Sequence, residues 1–178
     1  MRILRLVAPV LLLAVLGTQT ADAQNRRQGF WISGGIGAGV DNSSSTGGGA
    51  GYLRLGGTVG KVLLGGEANG WTRSEDGVSL LRSNTMFTAM VYPSLVGGFF
   101  IKGGLGYSII RVSGDVMGFS ASVTENGFGS VLGLGYDIPL SPKLSLTPNL
   151  DLLMQTWDPG TGSETQTMFL FTIGITGH

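Results

Sequence analysis

From Phe30 onward, apolar residues recur at every second position through eight segments. Period two sends successive side chains to opposite faces of a strand, so each segment reads as a strand with one apolar face. Segment 98–112 shows it most clearly. Phe99, Ile101, Leu105, Tyr107 and Ile109 share one face, and Lys102, Gly104, Gly106 and Ser108 the other. Segment 144–156 alternates Leu144, Leu146, Leu150, Leu152 and Met154 with Ser145, Thr147, Asn149, Asp151 and Gln155. The remaining strands are expected at 30–40, 50–59, 62–71, 80–92, 124–138 and 167–178. No stretch after the N-terminal region carries helical periodicity, so the fold class is all-β.

The connections alternate in length. Long ones are expected at 41–49, 72–79, 113–122 and 157–166, and short ones at 60–61, 93–97 and 140–143. That pattern predicts an eight-stranded antiparallel up-and-down transmembrane β-barrel in an outer membrane. Short turns face the periplasm, long loops face outside, and the even strand number returns both termini to one side. Alternation alone also fits a soluble barrel with its apolar face inward. Three features favour apolar-outward, one being the long/short asymmetry of the connections, which a soluble barrel has no reason to show. The polar face is built from Gly, Ser, Thr and Asn, with few of the Lys and Glu of a water-exposed sheet. Aromatics cluster near strand ends: Phe30, Phe99 and Tyr136 by the short turns, Trp71, Phe128, Trp157 and Phe169 by the long loops. Two belts of this kind match the two membrane interfaces. Charged residues make up 12% of the chain, about half the share of a soluble domain.

The N-terminus carries an export signal. Arg2 and Arg5 precede an apolar run over 6–16, interrupted only by Pro9, and Ala21-Asp22-Ala23 has the small-x-small form of a cleavage site. The run is too short for a helical span, which needs roughly 20 apolar residues. The expected division is a signal peptide, 1–23, and a barrel domain, 24–178. Without Arg2, Arg5 and Asp22, nine basic residues face ten acidic ones, a balance that points to no nucleic-acid partner. The chain has no cysteine. That excludes disulfides, zinc–thiolate sites and cysteine nucleophiles, so a closed hydrogen-bonded sheet must hold the fold.

Four strand-borne charges share the polar face: Arg54, Glu67, Lys102 and Asp151. Arg54 and Glu67 are equidistant from the centre of a 60–61 turn, which places them directly opposite each other. Eight strands leave room inside for side chains but little water, and an unpartnered buried charge is costly. The four are therefore expected to form a lumen network that plugs the barrel; separate solvation by lumen water is the alternative. The glycines recurring at period two, such as Gly133 and Gly135, give a narrow barrel room to close. Gly47-Gly48-Gly49 follows a serine run with no strand–loop–helix context, so it is no phosphate loop.

The stretch Gly133-Leu-Gly-Tyr-Asp-Ile-Pro-Leu-Ser-Pro-Lys-Leu-Ser-Leu reads as a Gly-x-Gly strand, a turn and a returning strand. With the strand pattern of the whole region after the signal, it resembles the small eight-stranded outer-membrane β-barrel family, the OmpA/OmpX-type barrel domain, without a peptidoglycan-binding domain. The resemblance implies outer-membrane lipid and lipopolysaccharide as surroundings, the outer-membrane assembly machinery as a partner, and a monomer. Family members usually end in an aromatic residue in phase with the apolar face. Here the apolar phase stops at Ile175 and the last residue is His178.

Some small outer-membrane barrels are enzymes built on a Ser–His–acid triad. The single histidine, His178, falls at the presumed periplasmic end, far from an outer-leaflet substrate, so no triad is expected. Glu75-Asp76 is the one adjacent acidic pair; it reads as a solvated loop rather than a cation site. No catalytic residue, cofactor or metal is expected. Two functions stay open: a non-enzymatic outer-membrane barrel serving envelope structure or surface interaction through its loops, and a small pore or apolar-ligand transporter.

Overall fold

A sheet in a bilayer must satisfy all its backbone hydrogen bonds internally, and only closure removes its edges. The computed structural model meets that condition. It describes residues 27–42, 46–75, 77–94, 97–116, 119–158 and 162–178; the expected signal peptide lies outside the described residues. The strands are β1 (Phe30–Asp41), β2 (Thr46–Val59), β3 (Val62–Glu75), β4 (Val78–Val91), β5 (Phe99–Val116), β6 (Phe119–Tyr136), β7 (Ile138–Ser141), β8 (Leu144–Trp157) and β9 (Glu164–Gly177). The short β7 continues β6 past Asp137, and both pair with β8, so the nine segments make eight staves. All neighbours are antiparallel. β1 closes the barrel by pairing with β9, from Ile32↔Gly177 to Asp41↔Met168.

Both described ends of the chain lie with the 60–61, 92–98 and 142–143 connections. Backbone bonds continue the ladder around that rim: Thr58 N donates to Gly29 O at 2.9 Å, Asp137 N to Gly98 O at 2.9 Å and His178 N to Lys143 O at 3.0 Å.

The faces sort with the apolar side outward. On β5, Phe99, Ile101, Leu105 and Tyr107 are exposed while Phe100, Lys102 and Ser108 are buried. The same phase holds on β9, where Phe169, Phe171, Ile173 and Ile175 face out and Met168, Leu170, Thr172 and Thr176 face in. A soluble barrel would reverse this. From Phe99 to Ile109 the outward apolar residues span ten steps. At a ~3.3 Å rise per residue and a tilt of roughly 40°, they form a band ~25 Å tall, the hydrocarbon height of an outer-membrane barrel.

The connections depart from the sequence reading. Much of what reads as long loop is paired strand. β1 and β2 pair out to Asp41↔Thr46, β3 and β4 to Glu75↔Val78, and β5 and β6 to Val116↔Phe119. Only 158–163, between β8 and β9, keeps a connection near the expected length. The physical reason is that alternation records a difference between two faces. Past the apolar band both faces meet water, so Ser74, Ser79, Ser113, Ser122 and Thr124 erase the pattern while the ladder continues.

Leu105 lies outward near mid-band. Leu105→Arg should destabilise the barrel by about 2–4 kcal/mol, the depth-dependent penalty for a cation at the bilayer midplane. Urea unfolding in lipid vesicles measures it.

Candidate functional site: the closed lumen

The inward phase of the eight staves fills the lumen in three layers. The middle layer is ionic. Arg54 and Glu67 are direct cross-strand partners on β2 and β3, and Arg54 Nε donates to Glu67 Oε2 at 2.8 Å. Lys102 Nζ donates to Glu67 Oε1 and Oε2 at 3.0 Å each and to Asp151 Oδ2 at 2.9 Å. Arg54 Nη2 closes the cycle to Asp151 Oδ2 at 3.2 Å. The structure thus brings all four side chains into one cluster of two cations and two anions.

Neutral polar groups extend the layer. Arg54 Nη1 donates to Asn149 Oδ1 at 3.0 Å, and its guanidinium stacks 3.7 Å above the Tyr52 ring. Asn69 Nδ2 donates to Glu67 Oε1 at 2.8 Å, Asn84 Nδ2 to Asn69 Oδ1 at 2.8 Å, and Gln155 Nε2 to Asn84 Oδ1 at 2.9 Å. Lys102 is 0% exposed and Arg54 and Glu67 are 1% exposed. Water reaches none of the three, so their charges are compensated by protein alone. Charge-assisted bonds of this length are the strong ones.

Glycine makes the geometry possible. Gly133 on β6 sits between Lys102 on β5 and Asp151 on β8, paired with both. A β-carbon there would fall inside contact distance of Asp151 Oδ1. Because that space is empty, charges from non-adjacent staves meet across it.

Apolar layers close the lumen on either side, and the sequence reading missed them. Toward the short turns lie Trp31, Leu63, Met90, Tyr92 and Phe100. Toward the opposite end lie Trp71, Met86, Val131, Leu153, Met168 and Leu170. The signal was present, since Leu63, Phe100 and Leu153 share their strand's phase with Glu67, Lys102 and Asp151.

Trp71 corrects the expected aromatic belts. Its odd-numbered phase on β3 is that of Leu63, Glu67 and Asn69, so it points into the barrel. It is 1% exposed and donates from Nε1 to Gly39 O at 3.1 Å. Its nearness to a strand end gave position along the axis but not direction. Phe30, Phe99, Phe128 and Phe169 are exposed on the outer face, and Tyr136 is half-buried in the outward phase. Trp157 departs from the belt as Trp71 does: it is half-buried in the odd-numbered phase of β8 that carries Asp151, Leu153 and Gln155 inward.

Each mouth carries a further ion pair. At one end Arg82 Nη2 donates to Asp41 Oδ2 at 3.0 Å. At the short-turn end Asp137 accepts from Tyr92 Oη and Thr147 Oγ1, each at 2.8 Å, and Arg27 lies 3.6 Å away with its guanidinium over the Tyr92 ring. His178 packs half-buried at this mouth, both ring nitrogens unpartnered. Burial pushes its imidazole below the ordinary range, partly offset by Asp137. In the expected acidic pair, Glu75 bridges to Arg73, and Asp76 lies outside the described residues.

The sequence matches the family described as Outer membrane protein beta-barrel domain over residues 8–152. The chain belongs to this outer-membrane β-barrel family. It is an outer-membrane protein, and the apolar band is its lipid-facing surface. Solved structures share the family fold at low identity. Neisserial surface protein A aligns over 84% of this chain and 97% of its own, with 14% identity and a TM-score of 0.59. Ail, the attachment invasion locus protein of Yersinia pestis, covers 84% and 98%, with 11% identity and a TM-score of 0.58. OprG from Pseudomonas aeruginosa covers 87% and 99%, with 11% identity and a TM-score of 0.51. No curated protein sequence matches the chain.

Two measurements follow for this barrel. Gly133→Ala should displace Asp151 and lower unfolding stability by about 3 kcal/mol or more, the scale of a broken buried ion pair. The outward Gly103, with open space beside it, should accept Ala with little change; equal losses at both sites would refute the steric account. For His178, a folded-state value below the unfolded one means that only the unfolded chain takes up the proton first. Stability should therefore fall as pH drops below ~6.5, and His178→Gln should remove that part of the slope in a pH series of unfolding curves.

Proposed function

We infer that this is a closed, non-conducting outer-membrane barrel that serves envelope structure or surface interaction and is not an enzyme. One observation carries the reading: the ionic layer at Arg54, Glu67 and Lys102 contacts no water and lies between two packed apolar layers. An ion or solute crossing the lumen would have to break that layer and displace both others. With the centre filled, what the protein offers to partners is its outer wall and the hairpins beyond it. β5 runs seven residues past Ile109 to Val116, ~18 Å beyond the apolar band. On this reading the hairpins face outside the cell, residues 1–23 are removed on export, the assembly machinery inserts the barrel as a monomer, and lipopolysaccharide surrounds it. Ail, which shares the fold, has been crystallised with the heparin analogue sucrose octasulfate, an instance of a barrel of this shape engaging an anionic saccharide.

Planar bilayer recording tests the proposal. The purified barrel should add no conductance steps to the bare membrane. Steady steps from the folded protein would overturn it in favour of a pore.

A further inference from the structure

Strand-borne basic side chains in this barrel point inward with one exception. Arg54, Arg73, Arg82 and Lys102 all lie in the inward phase; among the described residues, Arg111 on β5 is the sole strand-borne cation in the outward phase. A lone cation on a lipid-facing wall needs a reason, because at hydrocarbon depth it would be strongly unfavourable.

Its height supplies the reason. Arg111 is the first outward residue beyond Ile109, where the ~25 Å apolar band counted from Phe99 ends. Below it, Tyr107 and Phe128 face each other across β5 and β6, and both are exposed on the outer wall. Such a pair marks the membrane interface. Arg111 therefore stands at headgroup level rather than in the hydrocarbon.

Most of the neighbours are polar. Register places Leu81, Arg111 and Thr124 in one row across β4, β5 and β6. Ser79, Ser113 and Ser122 form the row above, and Ser83, Ile109 and Asn126 the row below. Arg111 Nε donates to Thr124 Oγ1 at 3.3 Å, which lays the exposed guanidinium along the wall. Five hydroxyls and an amide stand at six of the eight neighbouring positions, Leu81 and Ile109 hold the other two, and no carboxylate occupies any of the nine. A guanidinium flanked by hydroxyls suits a phosphate carried on a sugar: the fork takes the phosphate oxygens and the hydroxyls take the saccharide.

We propose that Arg111, with Ser113, Ser122, Thr124 and Asn126, forms a binding site for the phosphorylated saccharide headgroup of an outer-leaflet glycolipid. The site rests on the outward placement of the β5–β6 hairpin in the reading above, but not on whether the lumen conducts.

The test uses the full folded barrel in phosphatidylcholine vesicles. These contain no addition, a diphosphorylated lipid A, or the same lipid with its phosphates removed. The readout is the temperature at which the compact, unboiled gel band is lost. Phosphorylated lipid A should raise that temperature by several degrees, and the dephosphorylated lipid should not. Arg111→Gln should lose most of the rise while matching wild type in phosphatidylcholine alone; Arg111→Lys should keep part of it. The proposal is overturned if Arg111→Gln keeps the full rise, if both lipids act equally, or if soluble sucrose octasulfate reproduces the whole effect, which would make the site a general polyanion surface. Conductance from the same preparation would refute the closed-lumen reading and leave this result standing.

Discussion

Two cations and two anions occupy a space that water does not enter, and the structure depends on their mutual neutralisation. Removing one partner from such a group leaves a bare charge in a low-dielectric interior, with a penalty of about 3–5 kcal/mol. Glu67 accepts four bonds, one from Arg54, one from Asn69 and two from Lys102. It links β2, β3 and β5 directly, and through Asp151 the same cluster reaches β8. The group therefore ties staves on opposite sides of the wall, which the ladder joins only by going around. A barrel without disulfides gains its cross-bracing here.

The glycine-rich inner face belongs to the same solution. Small residues let large neighbours lie flat across adjoining strands. Tyr52 lies over Gly35 and Gly174, which frees its ring to support Arg54 and its hydroxyl to accept from Asn149. On the outer face of β5 the residues are apolar up to Ile109 and polar beyond. The closed centre and the extended hairpins together confine contact with the surroundings to the outer surface.

Much of this was legible in the residues. Period two fixed the strands and their phases, and a turn at Gly60-Lys61 fixed the Arg54–Glu67 register. Lys102 and Asp151 could be placed on the inner face by phase. Their meeting across β6 could not, since it depends on the missing side chain of Gly133, and a glycine pattern reads equally as general slimness. The apolar layers were in phase with the charges but hidden by the assumption that a polar face is polar throughout. The Trp71 direction was readable from the same phase rule, whereas its proximity to a strand end pointed the wrong way. The hairpin extensions were unreadable for a different reason: above the membrane the two faces no longer differ, so pairing leaves no periodic trace.

The central claim is that Arg54 and Glu67 act as one coupled unit rather than as two independently hydrated charges. A double-mutant cycle in lipid vesicles tests it most directly, with Arg54→Glu, Glu67→Arg and the exchanged pair compared by urea unfolding. Coupling predicts that the exchanged pair recovers at least ~1 kcal/mol of the summed single losses. If the double change equals the sum of the single ones, the two charges do not depend on each other and the account of the lumen fails.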